Sequence, residues 1–111
     1  MNKIGIDIIE IKRLRNWKKL FKKILHEDEI KIFQKFNTKK RKNEFLAGRW
    51  AAKEALMKIL NKDITMNLIN IGYKNNKPVF LNEGYENYNI SISHETKYCV
   101  AVAIDLDFKE A

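Results

Sequence analysis

The sequence is poor in the residues that most often announce a structural class. It has one cysteine, one proline, four glycines and two histidines among 111 residues. A single cysteine, Cys99, excludes an intrachain disulfide and a cysteine-rich zinc site. So little glycine and proline excludes a collagen-like chain, and no Pro/Gly/Ser-rich stretch marks an internal linker. No apolar run nears the ~20 residues that a membrane span needs. The opening Met1-Asn2-Lys3-Ile4-Gly5 lacks the apolar run of a secretory leader, so the expected location is cytoplasmic. Neither Ser91 nor Ser93 sits in a nucleophile elbow, which leaves a serine hydrolase unsupported. Acidic residues are the scarce charge, 14 against 22 basic, for a net charge of +8. Such an excess predicts an acidic partner: nucleic acid, an anionic membrane, a phosphorylated ligand or an acidic protein.

What is present suffices for one domain, residues 1–111, because 45% of them are hydrophobic. Residues 3–11, KIGIDIIEI, read as a strand with Ile4, Ile6 and Ile8 on one face. Residues 12–25 read as a basic amphipathic helix, or a turn and a helix. Trp17, Leu20, Phe21, Ile24 and Leu25 form its apolar stripe. Residues 27–36 form a short helix whose Glu27, Asp28 and Glu29 suit an N-terminus. Asn37 or Thr38 caps a long helix that runs to about Leu60. The pattern then changes to period two. Residues 68–74 and 79–82 are strands around the turn Asn75-Asn76-Lys77-Pro78, followed by strands at 89–93 and 98–106. The class is α+β, with an antiparallel meander after the helices.

Four polar positions fit this frame poorly. Asp7 shares a strand face with Ile9 and Ile11, and a carboxylate buried without a partner costs several kcal/mol. It is a strand-end Asp paired with Lys or Arg, or a metal ligand. On the long helix, advancing about 100° per residue from Phe45 puts Ala52, Leu56 and Ile59 on a core stripe and Glu54 opposite them. Trp50, Ala51 and Met57 surround Glu54, so the helix is apolar on two sides and must be covered on both. Glu54 is then partly buried beside Lys58, an i,i+4 neighbour. Arg49 falls inside the core stripe and must snorkel, pair or bind an anion. His94 lies in Ser91-Ile92-Ser93-His94-Glu95-Thr96, where a strand enters a turn and its donors suit phosphate oxygens. Gly48, mid-helix, points to a close approach or is simply tolerated. Two carboxylates on different elements, with Lys, Arg and His, suit a Mg²⁺ ion among phosphates, which takes few protein ligands.

Three blocks carry a resemblance. They are Gly5-Ile6-Asp7-Ile8-Ile9-Glu10; the run Arg41-Lys42-Asn43-Glu44-Phe45-Leu46-Ala47-Gly48-Arg49-Trp50-Ala51-Ala52-Lys53-Glu54-Ala55; and Ile92-Ser93-His94 before an apolar strand. In order, spacing and total length the chain resembles the holo-acyl-carrier-protein synthases, the small class of 4′-phosphopantetheinyl transferases. The resemblance implies their fold, an antiparallel sheet packed on a long central helix. It implies transfer of 4′-phosphopantetheine from coenzyme A to a serine of apo-acyl carrier protein, with release of adenosine 3′,5′-bisphosphate, in fatty acid biosynthesis. By the same resemblance Asp7 and Glu54 bind Mg²⁺, with Lys58 near the diphosphate as the third catalytic residue. Arg49, Lys58 and His94 contact coenzyme A, and the chain is a homotrimer with sites between subunits. Arg13 and the helix after it match the region that docks the acidic carrier protein; Lys19 and Lys23 join it there. Seven positive charges fall between Lys12 and Lys23.

The chain departs from the family in three places. Its loop after the long helix, residues 61–67, has no glycine. Its first helix is shorter. Leu25-His26 replaces Leu-Thr before the second helix, which predicts a weaker N-cap. Two other readings compete: a basic nucleic-acid-binding module, which leaves Asp7 and Glu54 without a task, and an inactive relative that still binds the carrier. The family reading expects neither nucleic acid nor membrane as a partner.

Overall fold

The computed structural model describes residues 3–107. Met1, Asn2 and residues 108–111, included in the expected single domain, lie outside the described residues. Strand β1 (Ile4–Glu10) leads into a 3₁₀ turn (Ile11–Leu14), helix α1 (Trp17–Ile24), helix α2 (Glu27–Phe33) and the long helix α3 (Lys39–Met57). A second 3₁₀ turn (Met66–Leu68) precedes strands β2 (Ile71–Lys74), β3 (Lys77–Phe80), β4 (Tyr88–His94) and β5 (Tyr98–Asp105). The α+β class and the antiparallel pairing are as expected.

The strands do not form one meander. β2 and β3 make a separate hairpin, and the main sheet has the order β1-β5-β4. The first strand therefore pairs with the last, Ile4 opposite Ile104 and Asp7 opposite Ala101. The hairpin closes on Asn75 and Asn76, both with positive φ (54° and 63°). Two successive left-handed residues make a tight two-residue turn whose twist suits paired strands, and asparagine tolerates that conformation. Lys77 and Pro78, expected in the turn, instead begin β3, so the turn is two residues long.

Helix α3 lies against one face of the main sheet. Its N-cap is Thr38, whose hydroxyl accepts from the Arg41 N–H at 3.1 Å. Leu46, Ala47, Ala51, Ala52, Ala55 and Leu56 are all fully buried, so the helix is covered nearly all round, as its two apolar sides require. β1 packs so closely that a Cβ on Gly5 would overlap the carbonyl oxygen of Ala55. A glycine is needed there because the strand runs against helix backbone, not side chains. The contact fixes where Asp7, two residues on and on the same face, meets the helix. On the other side, Phe33 is 1% exposed. Trp17 packs edge-on to it at 5.6 Å and Phe21 stacks on it at 5.4 Å. The apolar stripe expected of α1 thus packs on the core, Ile24 and Leu25 fully buried and Trp17, Leu20 and Phe21 partly so, with its lysines outside.

Two local expectations change. His26 is a competent N-cap: its Nδ1 accepts from the Asp28 N–H at 3.1 Å, while Glu29 Oε1 accepts from the His26 N–H at 2.8 Å. An unprotonated imidazole nitrogen does here what a threonine hydroxyl would do, and the Glu at the third helical position completes the capping box. The loop without glycine closes on side-chain bonds instead. Thr65 donates to Asn67 at 2.8 Å, and Asn67 reaches the Lys22 carbonyl at 3.4 Å.

Candidate active site

The alternation of β1 turns Gly5, Asp7 and Ile9 toward α3. At the end of that helix Lys58 reaches back to the strand. Its Nζ donates to the Ile6 carbonyl at 2.5 Å and lies 3.4 Å from Asp7 Oδ1. Lys58 therefore does not pair with Glu54, its i,i+4 neighbour on the helix, among the described residues. Lys58 follows the last turn of the helix, where its side chain can reach the edge of β1. Asp7 is 17% exposed and Lys58 48%. The other Asp7 oxygen, Oδ2, is buried and has no hydrogen-bond partner. Glu54, one turn before Lys58, is half-buried and forms no ion pair among the described residues.

A second charged cluster lies deeper. Glu29 is fully buried, and each of its oxygens is contacted more than once. Oε1 accepts from Lys53 Nζ at 2.5 Å and from the His26 N–H; Oε2 accepts from the Ile71 N–H at 3.2 Å and lies 3.0 Å from Arg49 Nε. Lys53, also fully buried, donates to the Ile24 carbonyl at 2.7 Å as well. Burial pushes its ammonium down to about 8, against the pull of Glu29. The Arg49 N–H is not aimed at Glu29 well enough to count as a hydrogen bond, so charge and not alignment holds that contact. Sequence reading missed Glu29 and Lys53. A signal existed: Arg49 and Lys53 are spaced i,i+4 on one side of a buried helix, and two cations there demand an acid.

A cleft of about 420 Å³ opens beside this cluster. Arg41, Glu44, Phe45 and Arg49 line it from α3, Tyr73 and Pro78 from the hairpin, and Ile92 and His94 from β4. His94 is exposed, with Nδ1 3.7 Å from Glu44 Oε2. The Arg49 guanidinium lies 4.3 Å from the Phe45 ring centroid and 5.4 Å from that of Tyr73, whose hydroxyl accepts from Nη2 at 3.2 Å. Gly48 lines the same wall, but a Cβ there would make only an ordinary 3.6 Å contact with Ile92. The glycine is tolerated without being required by a close approach. The cleft thus joins Arg49 to His94, as the sequence expectation required, but not to Asp7. Arg49 and Lys58 are nine positions apart, about 13 Å along the helix axis. Arg13, Lys19 and Lys23 stand apart from both, exposed on the 3₁₀ turn and α1.

Among the described residues no group of three or more His, Cys, Asp or Glu side chains is placed to hold a metal. No helix there is long and apolar enough to cross a membrane. Cys99 is buried in β5, and burial pushes its thiol up to about 11, so it is a packed strand residue.

Residues 3–103 match the 4′-phosphopantetheinyl transferase superfamily. The chain belongs to that family. The holo-[acyl-carrier-protein] synthase of Mycoplasma capricolum is 51% identical over 104 residues, which cover 94% of each chain. That of Staphylococcus saprophyticus is 40% identical over 91% of this chain and 94% of its own. Among solved structures, the Bacillus anthracis holo-(acyl-carrier-protein) synthase in complex with CoA (3′,5′-ADP) superposes with a TM-score of 0.83. It shares 31% identity and covers 92% of this chain and 93% of its own. The Helicobacter pylori enzyme in complex with coenzyme A gives 0.70 at 27% identity, over 91% and 97%. The phosphopantetheinyl transferase fold anticipated from the three motif blocks is therefore the fold present.

Proposed function

We propose that this chain is a holo-acyl-carrier-protein synthase. It moves 4′-phosphopantetheine from coenzyme A to a serine of an apo-acyl carrier protein in fatty acid biosynthesis, and releases adenosine 3′,5′-bisphosphate. Family membership and the near full-length match to synthases support the activity. One observation carries the site: the buried, unpartnered Oδ2 of Asp7 beside Lys58, at the end of the helix that bears Glu54.

An inward carboxylate with one oxygen unsatisfied suits a cation, and Mg²⁺ takes only one or two protein carboxylates. Asp7 and Glu54 would hold it. When bound, Mg²⁺ supplies positive charge against the diphosphate oxygens of the substrate. Lys58, half-exposed beside Asp7, offsets charge on the departing phosphate. Arg49 and His94 bind the nucleotide end in the cleft, where Arg41 adds a second guanidinium. The carrier docks on Arg13, Lys19 and Lys23, and opposite charge steers it there and makes binding weaken with salt.

The distance between the cleft and Asp7 supports a site shared between subunits. The sheet supplies a reason for assembly. Ile4, Ile6 and Ile8 are 53%, 57% and 63% exposed on the face of β1 that turns away from α3. Val100, Val102 and Ile104 stand opposite them on β5. Six branched apolar side chains on one open sheet face form the kind of patch that a partner covers. We take that partner to be two further copies of this chain, in a homotrimer.

The deciding experiment is intact mass of an apo-acyl carrier protein incubated with the chain, coenzyme A and Mg²⁺. A gain of one phosphopantetheine unit, lost on adding a chelator, is expected. No gain from a chain that still binds coenzyme A overturns the transfer reading. Light scattering during size-exclusion chromatography tests the assembly. A trimer is expected, with Ile6→Lys driving it to monomer; a monomeric native chain overturns it.

A further inference from the structure

The cap of α2 is made by a group that a proton can switch off. His26 Nδ1 accepts from the Asp28 N–H at 3.1 Å, and an imidazole nitrogen accepts only while it carries no proton. The same nitrogen lies 3.8 Å from Asp28 Oδ2, and the His26 side chain is 25% exposed, so water reaches it. Asp28 Oδ2 is already in use: it accepts from Asn70 Nδ2 at 2.9 Å. Asn70 directly precedes β2, and its other side-chain atom, Oδ1, is buried without a hydrogen-bond partner. The hairpin shares no ladder with the main sheet. Two bonds tie its start to α2, from Asn70 to Asp28 and from the Ile71 N–H to Glu29 Oε2. One carboxylate oxygen thus stands between an imidazole and the base of the hairpin. Among the described residues, the charged groups around His26 come from three elements. Glu27, Asp28 and Glu29 belong to its own helix, Lys53 and Arg49 of α3 answer Glu29, and Lys22 of α1 lines the same groove as His26.

We propose that His26 and Asp28 form a proton-operated joint between α2 and the hairpin. With a neutral ring, Nδ1 caps the helix and the Asp28 carboxylate holds Asn70. A proton on Nδ1 turns that acceptor into a donor. The Asp28 N–H then loses its cap, and the imidazolium draws Oδ2 away from Asn70 into a charge-assisted bond. Glu29 keeps its bond to the Ile71 N–H, so the hairpin loosens at one tie and does not detach. The hairpin brings Tyr73 and Pro78 to the cleft, so the joint passes proton uptake at the start of α2 to one wall of that cleft. A threonine hydroxyl in place of His26 would cap the helix with no such response.

The test is a titration of the full chain from about pH 8 to about pH 5, the range in which imidazoles take up a proton. NMR follows the His26 ring, the Asp28 N–H and the Asn70 side-chain amide. Both amide signals should shift with the midpoint of the His26 ring. In His26→Thr, whose hydroxyl keeps a cap, both should lose that transition. Asp28→Ala separates the two halves of the joint: the backbone N–H at position 28 should still follow the ring, and Asn70 should not. Flat amide signals beside a titrating His26 ring overturn the joint, as does a ring that takes up no proton in this range. Amide signals that keep the transition in His26→Thr overturn it too, because another group then moves them. An Asn70 that follows the ring in Asp28→Ala removes Asp28 as the link. The native titration decides alone if a variant fails to fold.

Discussion

Helix α3 serves two charged clusters that are built on opposite terms. Around Glu29 both carboxylate oxygens are occupied, by Lys53, Arg49 and two backbone N–H groups. Around Asp7 one oxygen meets a half-exposed lysine at 3.4 Å and the other meets nothing. The first cluster ties α2, α3 and β2 together, because its acid bonds to groups from all three. The second gains little from its one ion pair, since an exposed pair at that distance is worth about 0–1 kcal/mol. A buried charge that is fully answered holds a fold in register. One that is left half answered is available for chemistry.

The largest expected effect breaks the saturated cluster. Glu29→Gln leaves two buried cations without their acid and should cost about 3–5 kcal/mol, read as a lower urea midpoint. If stability holds, Lys53 and Arg49 have other partners and the contrast fails. The matching change at the open cluster has the opposite signature. Asp7→Asn should leave the midpoint within about 1 kcal/mol of native. It should cut transfer by on the order of a hundredfold to a thousandfold, the scale of one lost electrostatic contact in a transition state. A variant that unfolds but retains activity per folded molecule would make Asp7 structural.

A third, smaller test leaves both clusters alone. Arg13→Glu should raise KM for the carrier about tenfold, flatten its salt dependence and spare coenzyme A affinity. Equal loss for both substrates would remove the docking surface from α1. The smallest effect concerns pH. Folding lowers the Lys53 pKa from 10.5 to about 8, so above pH 8 the unfolded chain holds a proton that the folded one has released, and this group's contribution rises with pH. Folding raises the Cys99 pKa from 9.0 to about 11, so its contribution falls through that range. Cys99→Ala should therefore make stability between pH 9 and 10.5 climb more steeply than in the native chain, by up to roughly 1 kcal/mol per pH unit. Parallel curves would mean that the native thiol ionises as it does in the unfolded chain.

Much of the fold was legible because it is local. The Phe45-Ala52-Leu56-Ile59 stripe, the Thr38 cap and the Asn75-Asn76 turn each depend on neighbours within a few residues. The half-burial of Glu54 followed from its apolar surroundings on the same helix. What stayed hidden depends on contacts across the chain. Lys58 turns to a strand 51 residues away and Lys53 to an acid 24 away. No periodicity encodes such partners. The separation of the hairpin from the main sheet was hidden for the same reason, since β4 pairs with β5 and not with β3, and β5 takes the distant first strand as its other neighbour. At His26 the expectation was local and still differed, because histidine is a poor average capper that here offers one unprotonated nitrogen in the right place.

The pairing of β1 with β5 also sets a time order. Ile4 stands opposite Ile104, so the strand that carries Asp7 is held by residues made about a hundred positions later. A growing chain can form the helices and the hairpin early, because their contacts are close in sequence. It cannot dock Asp7 against α3 in a paired strand until β5 has left the ribosome. Catalytic competence is thus a late product of synthesis. A chain interrupted before β5 would contain every residue assigned here to the chemistry and still lack the strand that holds Asp7 in position.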